Sequence, residues 1–399
     1  MLKDNHKQNY CSCDDDVESD NLAVSAGARK ATAMRTGFTT GACASAAALS
    51  AFHFLKSGKV MKKVSVLFPD GATRDMDVAG VGMVGSDSAS AWIIKDAGDD
   101  PDVTNGAVIR AQVGLVPAGY SDARDYLEKC AGARMVISAG EGVGLTTKRG
   151  LRPENGKWAI NPAPRKMLQQ NLESAGAGVD GQDLLVVISV DNGRALGMKT
   201  LNPVLGIMDG ISILGTSGLV IPCSNAAYIE TIRMLLDGTK GLGFDTAVLV
   251  TGKQTHDALV PLFPDLPEVA FIRIGDHIRT SIEYARELGF RKIVVGCMPG
   301  KLSKYAQGLS CTHAHDTPLS LPVVAADLHK MGFSQNIVDK CLGNVTIQGF
   351  IDELGAEDRK AILTKWTEKA ISAWQQWAPE MEFELVLVDP SGCVEFADR

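Results

Sequence analysis

The sequence predicts an α+β N-terminal domain followed by an α/β, Rossmann-like domain with a mostly parallel sheet and a helical C-terminal part. Three observations lead there. Up to about residue 202, hairpin signals are mixed with helical stretches, which argues for α+β over a purely parallel sheet. From about residue 203, fully apolar strands alternate with helices, the pattern of a parallel sheet covered on both faces. From about residue 322 the chain reads mostly as helix until a final strand and turn. The chain has 399 residues, and at roughly 100–200 residues per domain that length suggests two or three domains.

Taken in order, residues 1–34 read as a disordered acidic tail. The stretch "CSCDDDVESD" places like charges side by side and offers little to bury. The domain expected over 35–205 opens with a helix at 41–54. "VSVLF" and "TRDMDV" flank Pro69-Asp70-Gly71, a hairpin signal. "AWIIK", "AVIRAQV", "RMVISA" and "LLVVISV" are further strands, and Asn161 with Pro162 and Pro164 opens a helix. The domain expected over 206–399 starts with "GISIL" as an apolar strand, a Gly-Thr-Ser-Gly turn and a helix near 224–237. Strands at 246–250, 269–274 and 292–296 follow, with helices near 254–261, 277–288 and 300–309. "ELVLVDPSGCVEF" closes the chain as strand and turn.

The bulk composition excludes several classes. The net charge is −7, whereas a general nucleic-acid binder is usually basic. Nine scattered cysteines without a CxxC pair read as reduced cytoplasmic thiols, not as a disulfide framework or a zinc site. Cys11 and Cys13 beside three aspartates are the weak exception. No apolar run reaches the ~18 residues of a membrane span, and the N-terminus is too polar for a secretory signal. The expected place is the cytoplasm, with no membrane or nucleic-acid partner and with homo-oligomerisation left open.

Several stretches invite a chemical reading. "RTGFTTGACASAAALSAF" puts Thr39, Thr40 and Gly41 before a run of very small residues. Such a helix start either packs closely on another backbone or holds an anion at its unpaired N–H groups. "GEGVG" at 140–144 is a weak dinucleotide signal because a loop follows it, not a helix. That loop is cationic: Lys148, Arg149, Arg152, Lys157, Arg165 and Lys166 lie within 19 residues. They read either as a solvated surface or as a clamp for carboxylates. Gly215, Thr216, Ser217 and Gly218 have the better layout for a nucleotide-like cofactor, since ligands of open α/β sheets sit beyond the carboxyl ends of strands. Gly252 and Gly296 sit at equivalent ends. His313 and His315 lack a visible third metal ligand.

Six stretches occur in one order: "RTGFTTGACASAAA", "KDAGDDPDVTNGA", "GEGVGLTTKRGL", "INPAPRKML", "LNPVLGIMDGISILGTSGLV" and "GKLSKYAQG…TH". Together they resemble the cobalt-precorrin-5B (C1)-methyltransferase family (CbiD) of anaerobic cobalamin biosynthesis. The segments "GCMPGK" and "AHDTPLSLP" depart from the family pattern. The resemblance implies methyl transfer from S-adenosyl-L-methionine to carbon 1 of cobalt-precorrin-5B, giving cobalt-precorrin-6A. Cobalt then belongs to the substrate, and no protein metal site is implied. On this reading the corrinoid's carboxylates meet Thr39, Thr40, Gly41, Lys148, Arg149, Arg152 and Arg165. The cofactor meets Gly215, Thr216, Ser217, Gly218, Gly252 and Gly296. Asp99 or Asp100, among crowded carboxylates, is the candidate to handle a proton. Two competing classes are a tetrapyrrole-binding scaffold or carrier without turnover, and a small-molecule phosphoryl-transfer enzyme lacking a Walker motif.

Overall fold

The computed structural model describes residues 34–151, 153–222, 224–313 and 320–398. The expected acidic tail therefore lies outside the described residues, with Cys11 and Cys13, as do Arg152 and His315.

The helix Thr40–Ser57 is buried almost all round, from Thr40 to Phe52. It lies across the strands Ser88–Ile94 and Val108–Leu115 and against the helix Pro162–Ser174. Small side chains allow that: Ala42, Ala44, Ala46, Ala47 and Ala48 share one core with Ala89, Ala91 and Ala111 of the strands. Its caps are well made. Thr39 Oγ1 accepts from the Ala42 N–H at 3.2 Å, and Gly58 closes the far end at φ 68°.

This helix covers a six-stranded sheet. Its spatial order is Gly80–Met83, Ser88–Ile94, Val108–Leu115, Leu184–Val190, Ala133–Ala139 and Tyr126–Cys130. Leu184–Val190 runs antiparallel to Val108–Leu115, pairing Ile188 with Ala111. It runs parallel to Ala133–Ala139, pairing Val186 with Ile137. Ser88–Ile94 and Val108–Leu115 largely alternate buried with half-buried positions, so one face is core and the other is not. Strand signals missed Gly80–Met83, which is glycine-rich, and Tyr126–Cys130, which is half polar. "VSVLF" and "TRDMDV" do pair as a hairpin, Lys63–Leu67 against Thr73–Asp77.

A five-stranded sheet follows, in the order Phe271–Arg273, Thr246–Val250, Lys292–Cys297, Glu382–Val388, Val394–Asp398. The first four strands are parallel and the last is antiparallel. Numbered along the chain the order is 2-1-3-4-5, and helices join the parallel strands. The stretch after residue 320 is helical over Leu321–Lys330, Gln335–Gly343, Ile347–Asp352 and Ala356–Trp377. The architecture is mixed α/β with parallel strands in both sheets. No helix among the described residues is long and apolar enough to cross a membrane.

The segment 205–220 behaves differently from its reading as the first strand of the parallel sheet. Of "GISIL" only Gly210–Ile211 is a strand, and it pairs with Gly142–Val143. Leu219–Val220 pairs with Gly37–Phe38. Leu205 and Ile207 enter the core of the parallel sheet, while Ile211 and Ile213 enter the core under the first helix. The chain crosses from one core to the other here, and an apolar run is what such a crossing needs.

Candidate active site

A cleft of about 590 Å³ opens where that crossing segment runs. Thr39 and Thr40 come from the start of the first helix. Lys95, Asp102 and Thr104 come from the loop after the strand Ser88–Ile94. Gly150, Leu151 and Pro153 follow, then Asn161 to Pro164 at the start of the helix Pro162–Ser174. The crossing segment supplies Thr200 to Asn202, Leu205, Ile207, Ile211, Ser212 and Leu214 to Thr216. The opposite wall is the helix Asn225–Gly241, with Glu230, Thr231, Arg233, Met234 and Asp237, and Tyr284 beside it. The volume suits a small-molecule site, and the lining mixes apolar residues with hydroxyl, amide and charged side chains.

The wall around Thr39 and Thr40 is held tightly. Thr40 Oγ1 accepts from the Leu214 N–H at 2.9 Å and donates to the Ser212 carbonyl at 3.1 Å. The Gly41 N–H donates to the Leu214 carbonyl and the Thr39 N–H to the Gly218 carbonyl, both at 3.0 Å. The small residues of this helix start therefore serve close backbone packing. At Gly41 the N–H is taken by the Leu214 carbonyl, and a Cβ would lie 2.7 Å from Pro164.

The floor carries an ion pair. Lys95 Nζ donates to Asp102 Oδ2 at 2.6 Å, with the lysine side chain 1% exposed and the aspartate 25%. Thr104 donates to Asp102 Oδ1 through its N–H at 2.7 Å and its hydroxyl at 2.6 Å. Burial pushes the Asp102 carboxyl up, but the Lys95 and Thr104 bonds outweigh it and hold the group below the usual carboxylate range. Across the cleft, Tyr284 Oη donates to Asp237 Oδ1 at 2.9 Å.

The structure brings four of the expected residues together on this cleft: Thr39, Thr40, Gly215 and Thr216. Gly215 has φ 124°, and a Cβ there would sit 2.4 Å from Thr39; Gly218 has φ 79° and packs on Phe68. Both glycines are required by the protein's own packing. Ser217 Oγ is bonded locally to the Leu219 backbone. Gly252 and Gly296 lie instead at the carboxyl ends of Thr246–Val250 and Lys292–Cys297, away from the cleft lining.

Among the described residues, the cations of the expected clamp do not line the cleft. Arg165 Nη1 donates to Glu128 at 2.5 Å and its guanidinium lies 4.0 Å above the Tyr126 ring. Lys148 Nζ donates to the Val204 carbonyl at 3.3 Å. Arg149 is exposed and, like these two, does not line the cleft. Asp99 and Asp100 do not line it either. Asp99 Oδ2 accepts from the Arg35 N–H at 2.6 Å. Asp102 is the aspartate of that stretch that reaches the cleft. Sequence reasoning missed Lys95, Thr104, Glu230 and Asp237.

At the far end of the parallel sheet a second polar cluster forms. Lys301 Nζ donates to the Gly275 carbonyl at 2.9 Å, to Asp276 and to Thr312 Oγ1 at 3.0 Å. His313 is exposed beside it.

A family model described as CbiD matches residues 27–222. A cobalt-precorrin-5B C(1)-methyltransferase from a Polaromonas species is 40% identical over 320 residues, 78% of this chain and 83% of that protein. One from Pelobacter propionicus is 34% identical over 391 residues, 92% of this chain and 96% of the relative. A crystal structure of a cobalamin biosynthesis protein (CbiD) from Archaeoglobus fulgidus is 27% identical, with a TM-score of 0.37 over 69% of this chain and 80% of that one. The fold is mixed α/β, with a cleft of small-molecule size. The chain belongs to the CbiD family, whose curated relatives are named cobalt-precorrin-5B C(1)-methyltransferases.

Proposed function

We propose that this protein methylates carbon 1 of cobalt-precorrin-5B with S-adenosyl-L-methionine, giving cobalt-precorrin-6A, and that the reacting atoms meet in the cleft. One observation carries the placement. Five of the six stretches that carry the family resemblance each put residues on the wall of this one cleft: Thr39 and Thr40, Lys95 and Asp102, Leu151, Asn161 and Pro164, and the run from Leu201 to Val220. Cobalt enters as part of the substrate.

The donor set fits the methyl donor. Glu230 and Asp237 offer carboxylates to a cationic ligand, and Leu205, Ile207, Ile211 and Met234 offer apolar walls to a nucleoside. When bound, S-adenosyl-L-methionine supplies an electrophilic methyl group on a positively charged sulfur. The protein's part is to hold and orient. The Thr39–Thr40 anchor and the glycine turn at 215 fix one wall to within a hydrogen bond, and the Asn225–Gly241 helix fixes the other. Positioning of this kind is worth several kcal/mol of barrier. Glu230 and Asp237 supply negative charge on the helical wall, and the buried apolar residues limit water beside it. Gly215 and Thr216 are the cofactor contacts we retain. Thr39 and Thr40 face the ring substrate. We read the five-stranded half as a Rossmann-like domain by its 2-1-3-4-5 order, and the two cores as two domains.

The test is transfer itself. Purified protein is incubated with cobalt-precorrin-5B and methyl-labelled donor, wild type beside Thr231→Trp, which fills the cleft from its half-buried helical wall. The expected result is one labelled methyl on the ring with wild type and none with the folded variant. Absence of transfer by wild type would overturn the activity, and full transfer by the variant would move the site.

A further inference from the structure

We infer that Lys95 is a carboxylate-binding residue: its ammonium holds a carboxylate of a bound substrate at the floor of the cleft. The inference rests on the placement of the reaction in that cleft.

Lys95 lines the cleft while its side chain is 1% exposed. An ammonium carries three N–H donors, and a buried ion pair repays its desolvation only when its remaining protons also find acceptors. Asp102 meets the requirement on its side, with bonds from Lys95, the Thr104 N–H and the Thr104 hydroxyl. Lys95 does not. Its Nζ has the one bond to Asp102, and no second acceptor for it is found among the described residues. A pair that only closed the 95–107 loop would be as well served by an exposed lysine, and the loop is already closed by backbone bonds from Lys95 to Ala107 and from Gly106 to Lys95.

The surroundings favour an anion as the missing acceptor. The thiol of Cys43, in the first turn of the helix Thr40–Ser57, is pushed up to about 12 by burial, while the Lys95 charge pulls the other way. The ammonium therefore acts on the first turn of an 18-residue helix, the end that carries partial positive charge. Two positive features share this corner with Asp102, while Asp96, the other carboxylate that acts on Cys43, is already paired with Arg35. The first-turn N–H groups of Gly41 and Ala42 are already bonded, so the helix contributes its field and Lys95 contributes the donors.

A carboxylate in this cleft has two sources: the amino-acid end of the methyl donor, or an acid arm of the ring. Calorimetric titration separates them. One pair of probes is S-adenosylhomocysteine against 5′-methylthioadenosine, the same nucleoside without the carboxylate. The other is cobyrinic acid against its methyl ester. Lys95→Met should weaken the acid-bearing member of one pair by about tenfold or more, the range of a charge-assisted bond, and leave the other member unchanged. The pair affected names the source. Asp102→Asn should have the opposite sign, leaving that acid's affinity intact or raising it, because Lys95 loses its competitor. A purely structural ion pair would weaken every probe with both substitutions, and that result overturns the inference. So does a Lys95→Met protein whose affinities match wild type. If Lys95→Met does not fold, the Lys95→Met/Asp102→Asn double variant keeps the corner neutral. It should lose the preference for the acid, and retention of that preference overturns the inference equally. Wild type that binds none of the four probes overturns the cleft reading itself.

Discussion

Gly215 follows the apolar run 211–214, and Gly252 follows the apolar strand Thr246–Val250. A Cβ at 215 would lie 2.4 Å from Thr39, whereas a Cβ at 252 would meet nothing within 4 Å. The two glycines look alike in sequence because both stand where an apolar run gives way to small polar residues. They differ because the first run is shared between two cores and turns back onto a helix cap, while the second is a regular strand of a parallel sheet. Small residues after an apolar run mean close approach; whether a ligand or the chain itself does the approaching is set by what the fold brings there.

That contrast breaks most sharply under substitution. Gly215→Ala imposes a side chain at φ 124° and against the buried Thr39 cap. It should cost about 2–4 kcal/mol in urea unfolding. Gly252→Ala should stay within about 0.5 kcal/mol, as substitutions free of contacts do. Equal losses would mean that the two turns carry the same constraint.

The next largest effect belongs to the anchor that Gly215 abuts. Thr40 is 4% exposed, and its hydroxyl both accepts from Leu214 N–H and donates to the Ser212 carbonyl. Thr40→Val keeps the shape and leaves that part-buried N–H without its acceptor, a loss of about 1–2 kcal/mol. Thr40→Ser should recover most of it. A neutral Thr40→Val in the same unfolding assay would show that the helix start is not what ties 212–214 down.

Much of this was legible in the sequence, for physical reasons. The parallel sheet was readable because its strands are apolar on both faces and turn residues separate them. The Ala-rich helix was readable as a close-packing element. The inward position of Lys95 was also there to be seen: in "AWIIK", Ala91, Ile93 and Lys95 fall on one face at period two, and all three are buried. In the sequence the crowded aspartates beside this lysine point to Asp99 and Asp100 as the stronger chemical signal. What could not be read was the cleft's far wall. Glu230 and Asp237 look like solvated helix positions, and only the crossing of residues 205–220 between two cores turns them toward Thr39 and Lys95. For the described cations of 148–166 the converse holds: proximity along the chain does not bring Arg165 and Lys148 to one point, since each finds its own partner.

The smallest effects lie in pH dependence, and they separate the two regions by window. Asp102 in the cleft is held below the usual carboxylate range, as is Asp276 at the sheet end, where burial pushes up but the Lys301 and Thr312 bonds win. A depressed carboxylate contributes stability that is complete above its unfolded value near 3.9 and is lost as pH falls through its folded value. Asp102→Asn should therefore flatten only the acid limb. His277 acts earlier. Its ring is half-buried against Tyr228 at 5.6 Å, and burial lowers its pKa, with Asp276 opposing and Lys301 and His313 reinforcing. The unfolded chain takes up this proton near pH 6.5 while the folded chain resists it. The stability that His277 carries is thus complete above that value and declines as pH falls below it. His277→Gln should remove a slope in unfolding free energy that begins near pH 6.5 and leave the limb below pH 4 in place. If the mid-range slope survives in His277→Gln, another group carries it; if the lower limb vanishes as well, the cleft and the sheet end titrate as one region.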